Sequence, residues 1–261
     1  MHTLPPQIVL LGDSLFEFSV PVSNGFSFYA ELQNYYIRRY DVVNRGFSGW
    51  NTDHMVSWLP QIIRPPAETV APIKYLVVLL GANDAVLPLP TTKQHVPIDV
   101  YRQNLKAIVG HANVRAHNPT VILVTPPPVD EMRTEVVDVA DGHPCSVRRA
   151  TTSAAYSQVV REVASEMPGV FLVDLWKGIM DKALEMMGDA DTAGLAIGAE
   201  NGWLGDPRCG RRGGLEVLLP DGLHMNGDAY RVLFGLLKSH LPEPDEGRGD
   251  YVYPPWRALA K

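Results

Sequence analysis

A chain of 261 residues with 46% hydrophobic and 20% charged side chains has the size and make-up of one globular domain able to bury a sizeable core. Its formal net charge of -6, with no Lys/Arg run, argues against a nucleic-acid partner and against stable association with an anionic membrane. The two cysteines, Cys145 and Cys209, fall in different loops without metal-ligand spacing, which speaks against a disulfide framework or a zinc site.

In chain order, the first apolar run, residues 8–11, is too short for a secretory signal or a membrane span, so a cytoplasmic protein is expected. It enters Gly12-Asp13-Ser14-Leu15. Further Val/Ile/Leu-rich runs follow at 41–44, 75–80, 121–124 and 170–173, each soon closed by Gly, Pro or Asp. Helical spacing lies between them in Phe28, Leu32, Tyr35, Tyr36 and Arg39, in Tyr101, Leu105, Ile108, Val109 and Ala112, and in Tyr156, Val159, Val160, Val163 and Met167. A last set, Tyr230, Leu233, Phe234 and Leu237, closes the domain. Short strands alternating with helices specify a parallel sheet. The expected fold is therefore α/β, a three-layer α/β/α sandwich with a five-stranded parallel sheet, in one domain over residues 1–241. The aromatics Phe26, Phe28, Tyr29, Tyr35 and Tyr36 belong to its core and helix faces.

Two stretches break the rhythm. Residues 177–218 are glycine-rich and without steady period, and read as a loop excursion near the last motif. Its apolar Leu195, Ile197, Trp203 and Leu204 suit a mobile flap over a small substrate. Residues 242–261 carry prolines that exclude regular helix until the final turn, and read as a tail laid over the surface.

The chemistry gathers around Ser14, at the carboxyl end of the first strand, where ligands of open α/β sheets bind. A serine needs a base, a group to orient the base, and donors for an oxyanion. Asp221-Gly222-Leu223-His224 supplies the first two: a carboxylate three residues ahead of an imidazole, across a glycine turn, can accept the Nδ1 hydrogen and leave Nε2 facing the serine. The oxyanion donors are sought after the second and third strands. The backbone N–H of Gly46 and the Asn83 side-chain amide are the candidates, alongside Ser14 itself. Asp84 suits a helix cap and Ser48 a turn hydroxyl.

Gly12-Asp13-Ser14-Leu15, Gly46 within NRGFSG, Gly81-x-Asn83-Asp84 and Asp221-x-x-His224 together resemble the four blocks of the GDSL or SGNH hydrolases. That resemblance implies a flavodoxin-like sandwich, catalytic Ser14, Asp221 and His224, an oxyanion site of Ser14, Gly46 and Asn83, and no metal or cofactor. Leu15, Phe47, Trp50, Ala85 and Leu223 adjoin those blocks as candidate substrate contacts. NRGFSGWNT, Gln94-His95-Val96-Pro97, Tyr101 with Asn104-Leu105-Lys106, Thr125-Pro126-Pro127-Pro128, Asp174-Leu175-Trp176 and the late PPWR are similar to the isoamyl acetate-hydrolysing esterase branch. The branch implies cleavage of acetyl esters of small alcohols through an acyl-enzyme, and a possible homodimer. Two departures, Asp53-His54 in place of Arg-Trp and the length of 177–218, leave room for a bulkier acetylated metabolite or sugar. A thioesterase or lysophospholipase-like acyl hydrolase is the further alternative.

Overall fold

In the computed structural model, which describes residues 4–188, 192, 195, 197–245, 247 and 249–259, five strands form one parallel sheet in the order β2-β1-β3-β4-β5. They are β1 (Gln7–Gly12), β2 (Asp41–Gly46), β3 (Ile73–Leu79), β4 (Thr120–Val124) and β5 (Val170–Val173). The helices are α1 (Ser14–Glu17), α2 (Phe28–Tyr35), α3 (Thr52–Ile62), α4 (Ile98–Gly110), α5 (Ala112–His117), α6 (Glu131–Ala140), α7 (Ala150–Glu166), α8 (Leu175–Glu185), α9 (Leu215–Leu218), α10 (Gly227–Lys238) and α11 (Trp256–Leu259). The expected sandwich is the observed one.

The layers follow from the period of two along buried strands. Ile8, Leu10, Val77, Leu79, Ile122 and Val124 point to one face, where α2, α8 and α10 bring Phe28, Leu32, Ile179, Leu233 and Leu237. Val9, Leu11, Leu76, Val78, Val121 and Leu123 point to the other, against Met55 and Leu59 of α3, Tyr101 and Leu105 of α4, and Val160 and Val163 of α7. The chain leaves β1 for β2 on one side and then crosses to β3 on the other. That reversal opens a crevice beyond the carboxyl ends of β1 and β3, and Ser14 and the 81–84 turn lie there.

The reading of 177–218 is corrected at both ends. Residues 177–185 belong to α8, whose Leu175, Trp176, Ile179, Met180 and Ala183 are buried on one stripe, and whose start is capped by Asp174 accepting from the Lys177 N–H at 3.1 Å. Residues 198–218 are built into the body as well. Leu204, Leu215 and Leu218 are fully buried, and Trp203 packs edge-on against Trp176 with ring centroids 4.9 Å apart. The Met132 N–H donates to the Gly205 carbonyl at 3.2 Å, and Arg212 Nε to Asp130 Oδ2 at 2.6 Å. A flap containing Trp203 and Leu204 is ruled out by that packing. Residues 189–191, 193, 194 and 196 lie outside the described residues. The tail is tied to the end of α2: Tyr36 Oη donates to the Pro242 carbonyl at 2.9 Å, and Arg39 Nε to Asp250 Oδ2 at 2.5 Å.

Candidate active site

β1 ends in a close approach, because a Cβ on Gly12 would stand 2.5 Å from the Leu79 carbonyl oxygen of the neighbouring strand. Asp13 then caps α1, accepting from the Leu15 N–H at 2.9 Å, and Ser14 becomes the first helical residue. Its backbone N–H is one of those that a helix start leaves without an internal acceptor. The Ser14 hydroxyl lies 2.9 Å from His224 Nε2.

His224 is held by its own turn. Asp221 Oδ1 accepts from the backbone N–H of Leu223 at 2.9 Å and of His224 at 2.7 Å, while Oδ2 lies 2.6 Å from His224 Nδ1. Burial works to raise the Asp221 carboxyl, but the His224 side chain and those two N–H groups outweigh it and hold the carboxyl at about 2. An ionised Asp221 places the imidazole hydrogen on Nδ1 and leaves Nε2 as acceptor for the Ser14 hydroxyl. The turn requires Gly222: its φ is +91°, and a Cβ there would meet the Thr134 side chain at 2.7 Å and the Asp130 carbonyl at 2.8 Å. The Asp130 N–H, just ahead of α6, donates to the Gly222 carbonyl at 2.9 Å.

In the turn after β3, Asn83 Nδ2 donates to the Trp50 carbonyl at 2.8 Å. Its second hydrogen has no partner among the described residues. Gly46 is displaced from the expected role, because its N–H already donates to the Asn44 side-chain oxygen at 2.8 Å. Its lack of a side chain answers a packing need: a Cβ there would lie 2.3 Å from the Glu17 backbone nitrogen. Gly49, three residues on, has φ +79° and an N–H without a partner among the described residues. Its carbonyl accepts from Gln94 Nε2 at 2.8 Å, and the same Nε2 is 3.4 Å from Asn83 Oδ1. Three donors without a partner among the described residues thus come from the turns that follow β1, β2 and β3: the N–H groups of Ser14 and Gly49 and the second hydrogen of the Asn83 amide. The NRGFSG run contains two glycines, and local sequence alone could not tell the packed one from the free one.

The candidate substrate contacts divide. Leu15 is 0% exposed and Ala85 4%, each packed into a core layer, so neither side chain can line an open site. Leu223 is also buried, whereas Phe47 and Trp50 are half-buried and stack with centroids 4.4 Å apart. Phe18, missed in the sequence, is 43% exposed with its ring centroid 5.1 Å from that of His224. An apolar residue left in water beside the imidazole was its only signal, and that needs the fold to be visible.

Two buried carboxyls, Asp13 next to Ser14 in the chain and Asp84 in the turn after β3, each have one oxygen without a partner among the described residues. Burial lifts Asp13 to about 7 against the Leu15 N–H, with the neighbouring Asp84 adding to the rise. Burial also lifts Asp84 to about 6, opposed by the hydroxyl and N–H of Thr52 at 2.5 and 3.0 Å. No group of three or more His, Cys, Asp or Glu placed to hold a metal occurs among the described residues. No described helix is long and apolar enough to cross a membrane.

The sequence pattern of the GDSL-like lipase/acylhydrolase family matches residues 10–232, a span holding the whole of this constellation. The chain belongs to that family. It is a carboxylic ester hydrolase. Among its relatives, the isoamyl acetate-hydrolyzing esterase 1 homolog of Rattus norvegicus is 35% identical over 173 residues, covering 66% of this chain and 67% of that one. A GDSL esterase/lipase of Arabidopsis thaliana is 33% identical over 181 residues, covering 67% of this chain and 72% of that one. The crystal structure of the lipase/acylhydrolase from Enterococcus faecalis superposes with a TM-score of 0.58 at 21% identity, covering 93% of this chain and 100% of that one. An acetyl xylan esterase structure gives a TM-score of 0.61 at 16% identity, covering 90% and 100%. At those identities the two structures attest the fold.

Proposed function

We propose that this GDSL family member hydrolyses short-chain, acetyl esters of small alcohols through an acyl-enzyme on Ser14. The observation that carries the reading is the continuous hydrogen-bonded line from Ser14 Oγ through both nitrogens of His224 to Asp221. His224 Nε2 takes the Ser14 proton as Oγ attacks the acyl carbon. The carbonyl oxygen, now negative, is received by the N–H groups of Ser14 and Gly49 and by Asn83 Nδ2. As the tetrahedral centre collapses, the bond to the alcohol oxygen breaks and His224 returns the proton to that oxygen. Water repeats the sequence on the acetyl-serine, releasing acetate and restoring Ser14. Asp221 holds the imidazole hydrogen on Nδ1 throughout.

The acetyl preference is supported by the relatives named for isoamyl acetate hydrolysis. Phe18 beside the His224 ring and the stacked Phe47 and Trp50 are apolar side chains left partly exposed, which suits an apolar alcohol portion. A p-nitrophenyl ester series from acetate to palmitate tests it: kcat/KM should be greatest for the shortest esters and fall as the acyl chain lengthens. A maximum at long chains would overturn the acetyl assignment and favour a lysophospholipase-like hydrolase.

A further inference from the structure

The Asn83 amide has two ends, and only Nδ2 can serve a negative oxygen, since Oδ1 would repel it. Nothing in the amide fixes which end faces Ser14. Neighbours whose hydrogen-bonding groups are all of one kind must do so, and the Trp50 carbonyl, an acceptor only, holds one Nδ2 hydrogen at 2.8 Å. Gln94 touches Asn83 Oδ1 through Nε2 at 3.4 Å, but its own amide carries a donor and an acceptor and could turn over together with Asn83. Arg148 has no such freedom. Its Nη2 donates to Asn83 Oδ1 at 3.1 Å and its Nε to the Ala82 carbonyl at 3.0 Å, and a guanidinium has no acceptor to offer Nδ2.

Among the described residues no carboxylate lies within ion-pair distance of this cation. Its two hydrogen bonds end on neutral oxygens, and burial lowers its pKa from the usual arginine value, opposed by the charges of Asp138, Asp13 and Asp221 acting from a distance. The backbone that carries it is fixed without the guanidinium. The Val147 N–H donates to Asp138 Oδ2 at 2.8 Å, the Ser146 hydroxyl to the Arg148 carbonyl at 2.7 Å, and the Ala150 N–H to Glu131 Oε2 at 3.0 Å. A charge is thus held behind the oxyanion donor by a segment stable on its own account.

We infer that Arg148 is a positioning residue of the oxyanion site, holding Asn83 Oδ1 while the Trp50 carbonyl holds Nδ2, so that the free Nδ2 hydrogen faces the reacting carbonyl, and, as a cation against Oδ1, making that N–H a stronger donor. The inference rests on the proposed roles of Ser14 and Asn83. Arg148 does not touch substrate; it acts through Asn83, and its effect belongs to the transition state, where charge develops on the oxygen.

The test is a mutant cycle on p-nitrophenyl acetate. Arg148→Gln and Arg148→Lys are made alone and combined with Asn83→Ala, with Ser14→Ala alongside and thermal melting of each. Arg148→Gln is expected to lower kcat about ten- to a hundredfold with KM changed less than about threefold, and Arg148→Lys to fall between it and wild type. In the Asn83→Ala background neither change should alter kcat by more than about twofold, because the residue through which Arg148 acts is gone. An unchanged kcat in Arg148→Gln would overturn the inference, and so would an equal loss with and without Asn83. Failure of both variants to fold would make Arg148 a structural residue and overturn it too. Ser14→Ala protein with near-normal turnover would instead remove the reading of the site, and the inference with it.

Discussion

The two halves of the proposed machinery are built differently. For the proposed base, one four-residue turn contains everything: Asp221 accepts from Leu223, from the His224 backbone and from the His224 ring. For the proposed oxyanion site, Asn83 meets Trp50 across 33 residues, Gln94 across 11 and Arg148 across 65. The first is a local motif and the second is assembled by tertiary structure. The consequence is that spacing in the chain can specify a base but cannot specify which backbone N–H groups will be left free.

The largest effect expected from this comparison is on the serine and the base. Ser14→Ala and His224→Ala should each lower kcat by about 10⁴-fold or more, and the double variant should be little worse, since the members of such a line act as one unit. Melting temperatures should stay close to wild type. Additive losses in the double variant would break the claim that the two work together.

On the other side, Asn83→Ala should cost about 10²- to 10³-fold in kcat with a smaller change in KM. A collapse in melting temperature with kcat preserved in the remaining folded protein would reduce Asn83 to a structural role. The smaller size of this loss than that of Ser14→Ala is itself part of the comparison.

Legibility followed the same division. The central strands β1, β3 and β4 could be read because they are buried along most of both faces and so carry long apolar runs, and Asp221-x-x-His224 could be read because its geometry is contained in its spacing. α6 could not. Its exposed positions include Val136 and Val139 while Glu131, Thr134 and Asp138 are buried, so its polarity is the reverse of an ordinary surface helix. α8 was hidden by reading the glycine-rich stretch after it back to residue 177, although Asp174 and the Leu175, Ile179 and Ala183 stripe announce a helix. Gly46 and Gly49 differ in the folded chain: Asn44 takes the N–H of the first, where a Cβ would strike Glu17, whereas the second stands at φ +79° with its carbonyl on Gln94.

The base turn is local in its bonds yet leans on a distant support, and that gives a prediction of intermediate size. Asp130 is fully buried, accepts from Arg212 Nε at 2.6 Å and carries the Gly222 carbonyl on its own N–H. Arg212→Ala leaves that buried carboxylate without its cation, with only the Arg133 N–H donating to it at 3.2 Å, and is expected to destabilise the fold by about 3 kcal/mol. Chemical denaturation measures it. A change below about 0.5 kcal/mol would place the ion pair among those without structural weight and revive the idea of a loosely attached segment.

The smallest effect concerns the carboxyl next to Ser14 in the chain. Because folding raises Asp13 from 3.8 to about 7, the folded state binds the proton more tightly than the unfolded chain, and Asp13 favours folding most below pH 4. Its contribution declines as pH rises from about 4 to 7 and stays unfavourable above. Asp13→Asn should therefore compare better with wild type in melting temperature at pH 8 than at pH 5. An identical difference at both pH values would show that the carboxyl titrates normally.

If Ser14 is the nucleophile it carries the acyl group during turnover, and the direct measurement is the mass of the acyl-enzyme. Protein mixed with p-nitrophenyl acetate, quenched in acid within the first turnover and digested, should yield the peptide containing Ser14 heavier by one acetyl group, and Ser14→Ala protein should show no acetylated peptide. Acetyl on another residue, or rapid p-nitrophenol release with Ser14 unmodified at every quench time, would contradict it.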